Sequence, residues 1–348
     1  MVLQKKMKNR VLVTGGSGFI GSHFIELLIK KNFKVINIDI VKNNFFEKNI
    51  NYSSYAFVKC DICSKEKVKK IFKNYEFDYV VNFAAESHVD KSIDGPKKFF
   101  ETNVFGTLNL LENIRILKPE IRFIQISTDE VFGSLSQKEK PFTVSSNFKP
   151  NSPYSSSKAS ADHLVRSYYK TYGVNTSSTH SSNNFGERQN PEKLIPMTLT
   201  ALSNRQPIPI YGNGKNIRDW VYVKDNCRAV FEVMKNGKRG RSYMIGGNNE
   251  ISNLDLIKKI ISYYFKFYNK KNNFNDSIIF VKDRLGHDFR YSVSMKSFIK
   301  EFKFRFEKSF ISNLKKTISH YIVYQKYYKE LRNQNKWLIK KYENFEKK

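Results

Sequence analysis

Residues 10–22, RVLVTGGSGFIGS, decide the fold. Val11, Leu12 and Val13 form an apolar run of the length and kind expected for a strand buried on both faces. The run leads into Thr14-Gly15-Gly16-Ser17-Gly18-Phe19-Ile20-Gly21, where Gly15, Gly18 and Gly21 have the spacing G-x-x-G-x-x-G. Glycines at this spacing let the backbone turn tightly and approach a pyrophosphate, which rests on the N-terminus of the following helix. The motif alone is weak; its place between a strand and a helix gives it meaning. Asp39 closes the next strand, eighteen residues after Gly21. A carboxylate there accepts from both adenosine ribose hydroxyls and repels a 2′-phosphate, which favours NAD over NADP.

Outward from this loop, apolar runs alternate with helical patterns. RVLVTG, KVINIDI, YAFVKCD, DYVVNFA and RFIQIST read as strands, with GSHFIELLIKK, KEKVKKIFKNY and KKFFETNVFGTLNLLENIRIL as helices between them. A helix from about Pro153 to Tyr172 and the strand GVNTSSTH follow. Such alternation predicts a Rossmann-type, doubly wound α/β fold, its parallel sheet covered on both faces. Two more strand ends fall at the same site. Asp61-Ile62 is placed against adenine, and the small Ala84 and Ala85 leave room for the cofactor, with Ser87 beside the substrate. After Gly186 the pattern loosens and proline and glycine punctuate it. The expected division is 1–185 for the NAD-binding domain and 186–348 for a smaller mixed α/β substrate-binding domain. The boundary is soft, because some later strands can return to the main sheet. The charged, aromatic tail reads as a surface helix with a frayed end.

With 348 residues the chain needs no staple of disulfides or metal. Three cysteines form no disulfide framework, and no signal core or membrane-length apolar run is seen, so the cytoplasm is the expected compartment. Cys60 and Cys63 are spaced C-x-x-C without a second Cys or His pair, so no metal site is expected. The formal charge of +29 comes from lysines spread along the whole chain, in a composition also rich in Asn, Ile, Phe and Tyr. A dispersed charge argues against a nucleic-acid stripe and stays compatible with an anionic small substrate.

The second informative stretch is ISTDEVFG, residues 126–133, where a strand ends in Thr128, Asp129 and Glu130. The third is Tyr154-Ser155-Ser156-Ser157-Lys158, which sets a phenol and an ammonium one helical turn apart. A cation there favours the phenolate and makes it a usable base. Hydride chemistry needs Tyr154, Lys158 and a hydroxyl such as Thr128; the two carboxylates are surplus to it. They can hold opposite protonation states only if their surroundings split their pKa values. In a regular strand residues 129 and 130 point to opposite faces, so the chain must leave the strand for both to reach one substrate.

Together these segments resemble the extended short-chain dehydrogenase/reductase superfamily, and within it the nucleotide-sugar 4,6-dehydratases, above all those of the dTDP-glucose type. The resemblance runs from about Arg10 to Tyr324 and is carried by NFAAESHVDKSIDGP, ETNVFGTLNLLE, ISTDEVFG, SPYSSSKASADHLVRSYYKTYG, SSNNFG, PEKLIP, PIPIYGNGKNIRDWVYVKD, IGGNNEISNLDL and DRLGHDFRY as well as the glycine loop. It implies oxidation of the sugar at C4, loss of water across C5–C6 and hydride return to C6, with NAD unchanged at the end. Tyr154 is then the base at the 4-hydroxyl with Thr128 on the same oxygen, Glu130 removes the C5 proton, and Asp129 protonates the departing C6 hydroxyl.

The resemblance further implies that Asn184 lies beside the nicotinamide. It assigns Thr102, Asn183, Lys193, Leu194, Pro209, Tyr211, Arg218, Asn253, Asp283, Arg284 and His287 to the nucleotide-sugar half. Arg218 has the strongest physical case, since a guanidinium forks onto phosphate oxygens. Leu285, Asn190, Phe132 and Phe185 depart from the usual family residues; none of them removes a catalytic group. A UDP-glucose enzyme remains compatible with the same motifs. The family also implies a homodimer joined by a four-helix bundle, built here from the helices near 97–117 and 153–172.

Overall fold

The computed structural model describes residues 9–43, 50, 52–270 and 277–340. The basic start of the chain and the last eight residues of the tail lie outside them. Strands β1 (Arg10–Thr14), β2 (Lys34–Asp39), β3 (Tyr55–Lys59), β4 (Tyr79–Asn82), β5 (Arg122–Thr128) and β6 (Thr176–Ser181) form a parallel sheet together with β10 (Arg241–Ile245). The order is β10-β6-β5-β4-β1-β2-β3. Between β1 and β4 the winding direction reverses, and the glycine loop leaves β1 at that switch point. In open parallel sheets the crevice outside the strands' carboxyl ends at this position is where ligands bind.

The strand sequences explain the layers. Along β1, Val11 and Val13 face one side and Leu12 the other, as the strand's twofold period requires. Val11 and Val13 pack with Phe24, Ile25 and Leu28 of the Phe19–Lys30 helix and with Val230 and Val233 of the Val223–Asn236 helix. Leu12 packs with Val68, Ile71 and Phe72 of the Lys65–Asn74 helix and with Leu110, Leu111 and Ile114 of the Thr107–Leu117 helix. Burial of each such side chain stabilises the fold by roughly 1.5–3 kcal/mol. The first of these clusters continues unbroken into Leu256, Ile260, Leu314 and Ile318, so the later half of the chain shares its core with the earlier half.

Residues from 183 onward build a three-stranded sheet, β11 (Glu250–Ser252), β9 (Ile217–Tyr222) and β7 (Asn183–Phe185), which crosses the expected boundary at 185. They also build a parallel pair, β8 (Ile208–Tyr211) with β12 (Ile278–Val281). The return of β10 to the main sheet beside β6 places 241–245 within the Rossmann layer. One expected long helix is interrupted: between Lys97–Phe100 and Thr107–Leu117 the segment Glu101–Gly106 is π-helical. Such wide turns re-aim side chains, and here Asn103 Nδ2 donates to Glu86 O (3.0 Å) and Ser157 Oγ (2.8 Å). Among the described residues no helix is long and apolar enough to cross a membrane.

Candidate active site

The glycine loop is built by close backbone contact. Gly15 has φ +64°, and a Cβ there would lie 2.5 Å from the backbone nitrogen of Ala84. A Cβ on Gly21 would lie 2.4 Å from Gly15 O. Only glycine permits β1, β4 and the helix start to converge in this way. Gly18 caps the Phe19–Lys30 helix in an extended conformation with no side-chain cap, which leaves the helix's first N–H groups without a side-chain acceptor. Asp39, at the end of β2, accepts from Ser17 N (3.0 Å) and Val41 N (3.2 Å). Ile62 is buried, and its carbonyl accepts from Asn109 Nδ2 at 2.7 Å, whereas Asp61 is exposed.

At the end of β5 the chain leaves the strand. Thr128 is extended (φ −135°, ψ 154°), and Asp129–Phe132 is a 3-10 turn closed by Gly133 at φ +86°. Thr128 Oγ1 caps this turn by accepting from Glu130 N at 3.3 Å, and its hydroxyl donates to Asp129 Oδ1 at 3.3 Å. The turn removes the strand's alternation, so both carboxyls come to the same site.

Their surroundings differ. Asp129 is 1% exposed, and its Oδ2 is buried with no hydrogen-bond partner. Burial first, then the charges of Glu130 and Asp219, hold its carboxyl well above the usual range; Arg218 and the Thr128 hydroxyl oppose them. Glu130 is also raised by burial, but three cations, Lys193, Arg218 and Arg284, pull it back, with Asp288 adding to the rise. Both carboxyls are thus raised, and at Glu130 three cations are set against the rise.

The Pro153–Tyr172 helix starts at a reciprocal cap between Ser152 and Ser155. This fixes Tyr154 at its N-terminus, buried and hydrogen-bonded to Thr128. Lys158, one turn on, donates to Ile126 O at 2.5 Å. Burial, then the charge of Glu130, pushes the Tyr154 phenol up, opposed by the Thr128 hydrogen bond. Lys158 binds this strand carbonyl and is itself lowered to about 8 by burial, opposed by Asp162.

Beside this centre lies a cleft of about 1150 Å³, mouth included, lined by Glu130, Asn183, Lys193, Leu194, Pro209, Tyr211, Arg218, Asn253, Arg284 and His287 among others. Ten residues scattered from 130 to 287 thus meet where the sequence placed a nucleotide sugar. Arg218 is held more firmly than expected. Its guanidinium donates to the carbonyls of Ile217, Asp288 and Phe289 (2.8–3.2 Å) and stacks 4.3 Å over the Tyr291 ring. Lys193 Nζ donates to Ser87 O at 3.0 Å. Asn184 Oδ1 is buried without a hydrogen-bond partner.

Of the residues expected at the substrate, Ser87, Thr102, Thr128 and Asp283 are not on the cleft wall. Thr102 lies on the π-helical segment beside Cys63, whose thiol donates to Glu101 O at 3.3 Å. Asp283 is exposed and accepts from His287 Nδ1 at 2.6 Å. Sequence reasoning missed several wall residues. Asp90 pairs with Arg284 and accepts from the Tyr211 hydroxyl at 2.8 Å. From the tail, Trp337 and Leu338 close one side of the cleft. Trp337 Nε1 donates to Asp94 at 3.0 Å and its ring meets that of His88 at 4.6 Å. The tail is thus part of the cleft wall up to Leu338, and the one available signal was the paired bulk of Trp337-Leu338 in an otherwise charged segment.

A glycine loop at the switch point, a carboxylate on β2 and a Thr–Tyr–Lys set under one cleft define the extended short-chain dehydrogenase/reductase class. The profile of the GDP-mannose 4,6 dehydratase family matches residues 12–317, and the chain belongs to this family. The Haemophilus influenzae dTDP-glucose 4,6-dehydratase is 41% identical over 330 residues, 90% of this chain and 97% of that one. The crystal structure of the Bacillus anthracis dTDP-glucose 4,6-dehydratase in complex with NAD matches with a TM-score of 0.83 at 39% identity, covering 94% of this chain and 100% of that one. The Streptomyces venezuelae dTDP-glucose 4,6-dehydratase, also with NAD bound, matches with a TM-score of 0.86 at 36% identity, covering 92% and 99%.

Proposed function

We propose that the protein is an NAD-dependent hydro-lyase that converts dTDP-glucose to dTDP-4-dehydro-6-deoxy-glucose. The observation that carries this reading is the carboxyl pair, Asp129 without a partner on Oδ2 and Glu130 attracted by Lys193, Arg218 and Arg284. A simple oxidoreductase or epimerase has no use for an acid and a base in addition to Tyr154. The named relatives, which cover almost the whole chain, support the same substrate.

The residues fit NAD. The uncapped helix start at Gly18 suits a pyrophosphate, Asp39 suits the adenosine ribose, and the buried Asn184 Oδ1 suits a carboxamide N–H. When bound, NAD supplies hydride acceptance at C4 and return at C6, and a positive ring beside the phenol. Tyr154 then takes the proton of the sugar 4-hydroxyl, while Thr128 holds the same oxygen. The resulting 4-ketone acidifies the C5 proton, which Glu130 removes. Asp129 gives its proton to the C6 hydroxyl, which departs as water. Glu130 returns its proton to C5 in the final step. Arg218, Lys193 and Arg284 bring positive charge to the cleft, suited to a diphosphate.

The same reading makes the protein a cytoplasmic homodimer. Its cysteines are free, and apolar side chains stand exposed on the two helical segments assigned to the four-helix bundle: Phe105 at 60%, Ile116 at 62% and Tyr172 at 54%. Exposed bulk of this kind marks an interaction face. The test of function is to incubate the purified, NAD-loaded protein with dTDP-glucose and UDP-glucose side by side. The expected result is a 4-keto-6-deoxy sugar from dTDP-glucose at the higher rate, without net NADH. If no keto sugar forms while NAD stays bound, the reading is wrong.

A further inference from the structure

Asp288 is buried and off the cleft wall, and no step of the reaction just described uses it. Its carboxylate is shared between side chains from two parts of the chain. Oδ2 accepts from the Tyr291 hydroxyl at 2.5 Å, and Oδ1 accepts from Asn151 Nδ2 at 2.6 Å. Tyr291 is a wall residue, and its ring lies 4.3 Å from the Arg218 guanidinium. Asn151 stands directly before Ser152, the cap of the helix that carries Tyr154. The backbone repeats the link to Arg218: Asp288 O accepts from Arg218 Nη2 at 2.9 Å and from Asn216 Nδ2 at 3.2 Å. The same segment also meets the chain that leaves the catalytic turn. Phe289 N donates to Ser134 Oγ at 2.8 Å, and Leu135 N donates to Arg290 O at 3.0 Å. Residues 288–291 thus join β9, which carries Arg218, to the exit of that turn.

We propose that Asp288 is a positioning residue of the cleft: its carboxylate fixes the Tyr291 ring as the seat of the Arg218 guanidinium and ties that seat to the start of the helix carrying Tyr154. The inference rests on the diphosphate role given to Arg218 above. A tyrosine side chain turns about two bonds. A hydrogen bond from its hydroxyl removes that freedom, and an ionised acceptor makes the bond about twice as strong as a neutral one. A carboxylate accepts at both oxygens, so Asn151 fixes the rotation of the carboxyl without competing with the phenol. Stacking on an aromatic face and forked recognition of phosphate both depend on where the guanidinium plane lies. That plane is set by the ring and by the carbonyls of Ile217, Asp288 and Phe289. One carboxylate then anchors both the cation meant for the diphosphate and the helix start that presents the phenol.

The test uses the NAD-loaded protein, so that the glycine loop is filled and an added diphosphate binds in the cleft. dTDP and inorganic pyrophosphate are titrated by calorimetry. Asp288→Ala is expected to weaken both by about tenfold, with NAD affinity unchanged. Tyr291→Phe, which keeps the ring and removes its anchor, and Asn151→Ala, which lets the carboxyl turn, should each weaken both by about threefold. Asp288→Asn keeps an oxygen for the phenol and should recover most of the loss. Unchanged diphosphate affinity in a folded Asp288→Ala, or in Tyr291→Phe if the alanine variant does not fold, overturns the proposal. So does a fall in NAD affinity equal to that for the diphosphates, or a wild type that binds neither dTDP nor pyrophosphate. Unchanged affinity in Asn151→Ala removes the tie to the helix. If the variants lose affinity as expected while the wild type forms no keto sugar, the reaction assigned above is wrong and the role of Asp288 stands.

Discussion

Asp129 and Glu130 are neighbours in one 3-10 turn, yet Asp129 has an unpartnered buried oxygen and Glu130 faces three cations. Burial is common to both, so the cations decide which carboxyl keeps its proton. The expected pH profile of the elimination step is a bell. Activity is lost on the acid side as Glu130 protonates, and on the alkaline side as pH rises through the raised Asp129 midpoint. Arg218→Met removes a cation that pulls on both groups and should move both limbs upward.

Asp129 also costs stability. Its folded pKa lies above the unfolded value, so the folded state binds the extra proton, and stability falls as pH rises from the ordinary carboxylate range toward the folded midpoint. Asp129→Asn should therefore raise Tm at neutral pH, by about two degrees, and slow water loss more than the initial oxidation. Calorimetry at pH 7 together with rapid-quench analysis of the sugar tests both halves. A lower Tm in the variant would refute the account of the buried acid.

Glu130→Gln keeps the shape of the turn and removes the base. Elimination should slow by about 10²–10⁴-fold, with a 4-keto sugar that retains its C6 oxygen accumulating on the protein. Solvent deuterium should no longer enter at C5, which mass spectrometry of the product reads directly.

Trp337→Ala opens the cleft where the tail closes it. The indole donates to Asp94, meets His88 edge to face and lies under Lys91 Nζ at 5.4 Å. The side chain lies on the cleft wall with Asp94, His88 and Lys91 as its partners, so KM for the nucleotide sugar should rise about tenfold with kcat nearly unchanged. Steady-state kinetics separate the two.

Gly15→Ala places a methyl group 2.5 Å from the Ala84 nitrogen in a left-handed backbone. NAD affinity should fall by at least about tenfold, since β1 and β4 must part at the loop to admit the methyl. Fluorescence titration with NAD measures it.

The sheet was legible because RVLVTG and its companions carry their own period and endings. The catalytic turn was legible by contradiction: two acids useful to one substrate could not both stay on β5. Asp90 was not legible, because it is ordinary in its own segment, and Trp337 stood out only by its bulk; both gain meaning from residues more than a hundred positions away. The hydrogen-bond partner of Lys158 was not legible for a related reason. Helical spacing places its side chain near the phenol, but the Ile126 carbonyl that captures its ammonium belongs to a neighbouring strand.

The position of β10 has a consequence for how the protein comes off the ribosome. Until Arg241–Ile245 has emerged, β6 is an open edge with unpaired amides, on a strand that also holds His180 against Asp162. A nascent chain stopped near residue 185 carries every group of the catalytic set and the whole glycine loop, yet lacks the strand that seals its sheet. Such an edge recruits other chains, so a chain halted there holds the catalytic side chains but neither the strand that seals the sheet nor the cations set around Glu130.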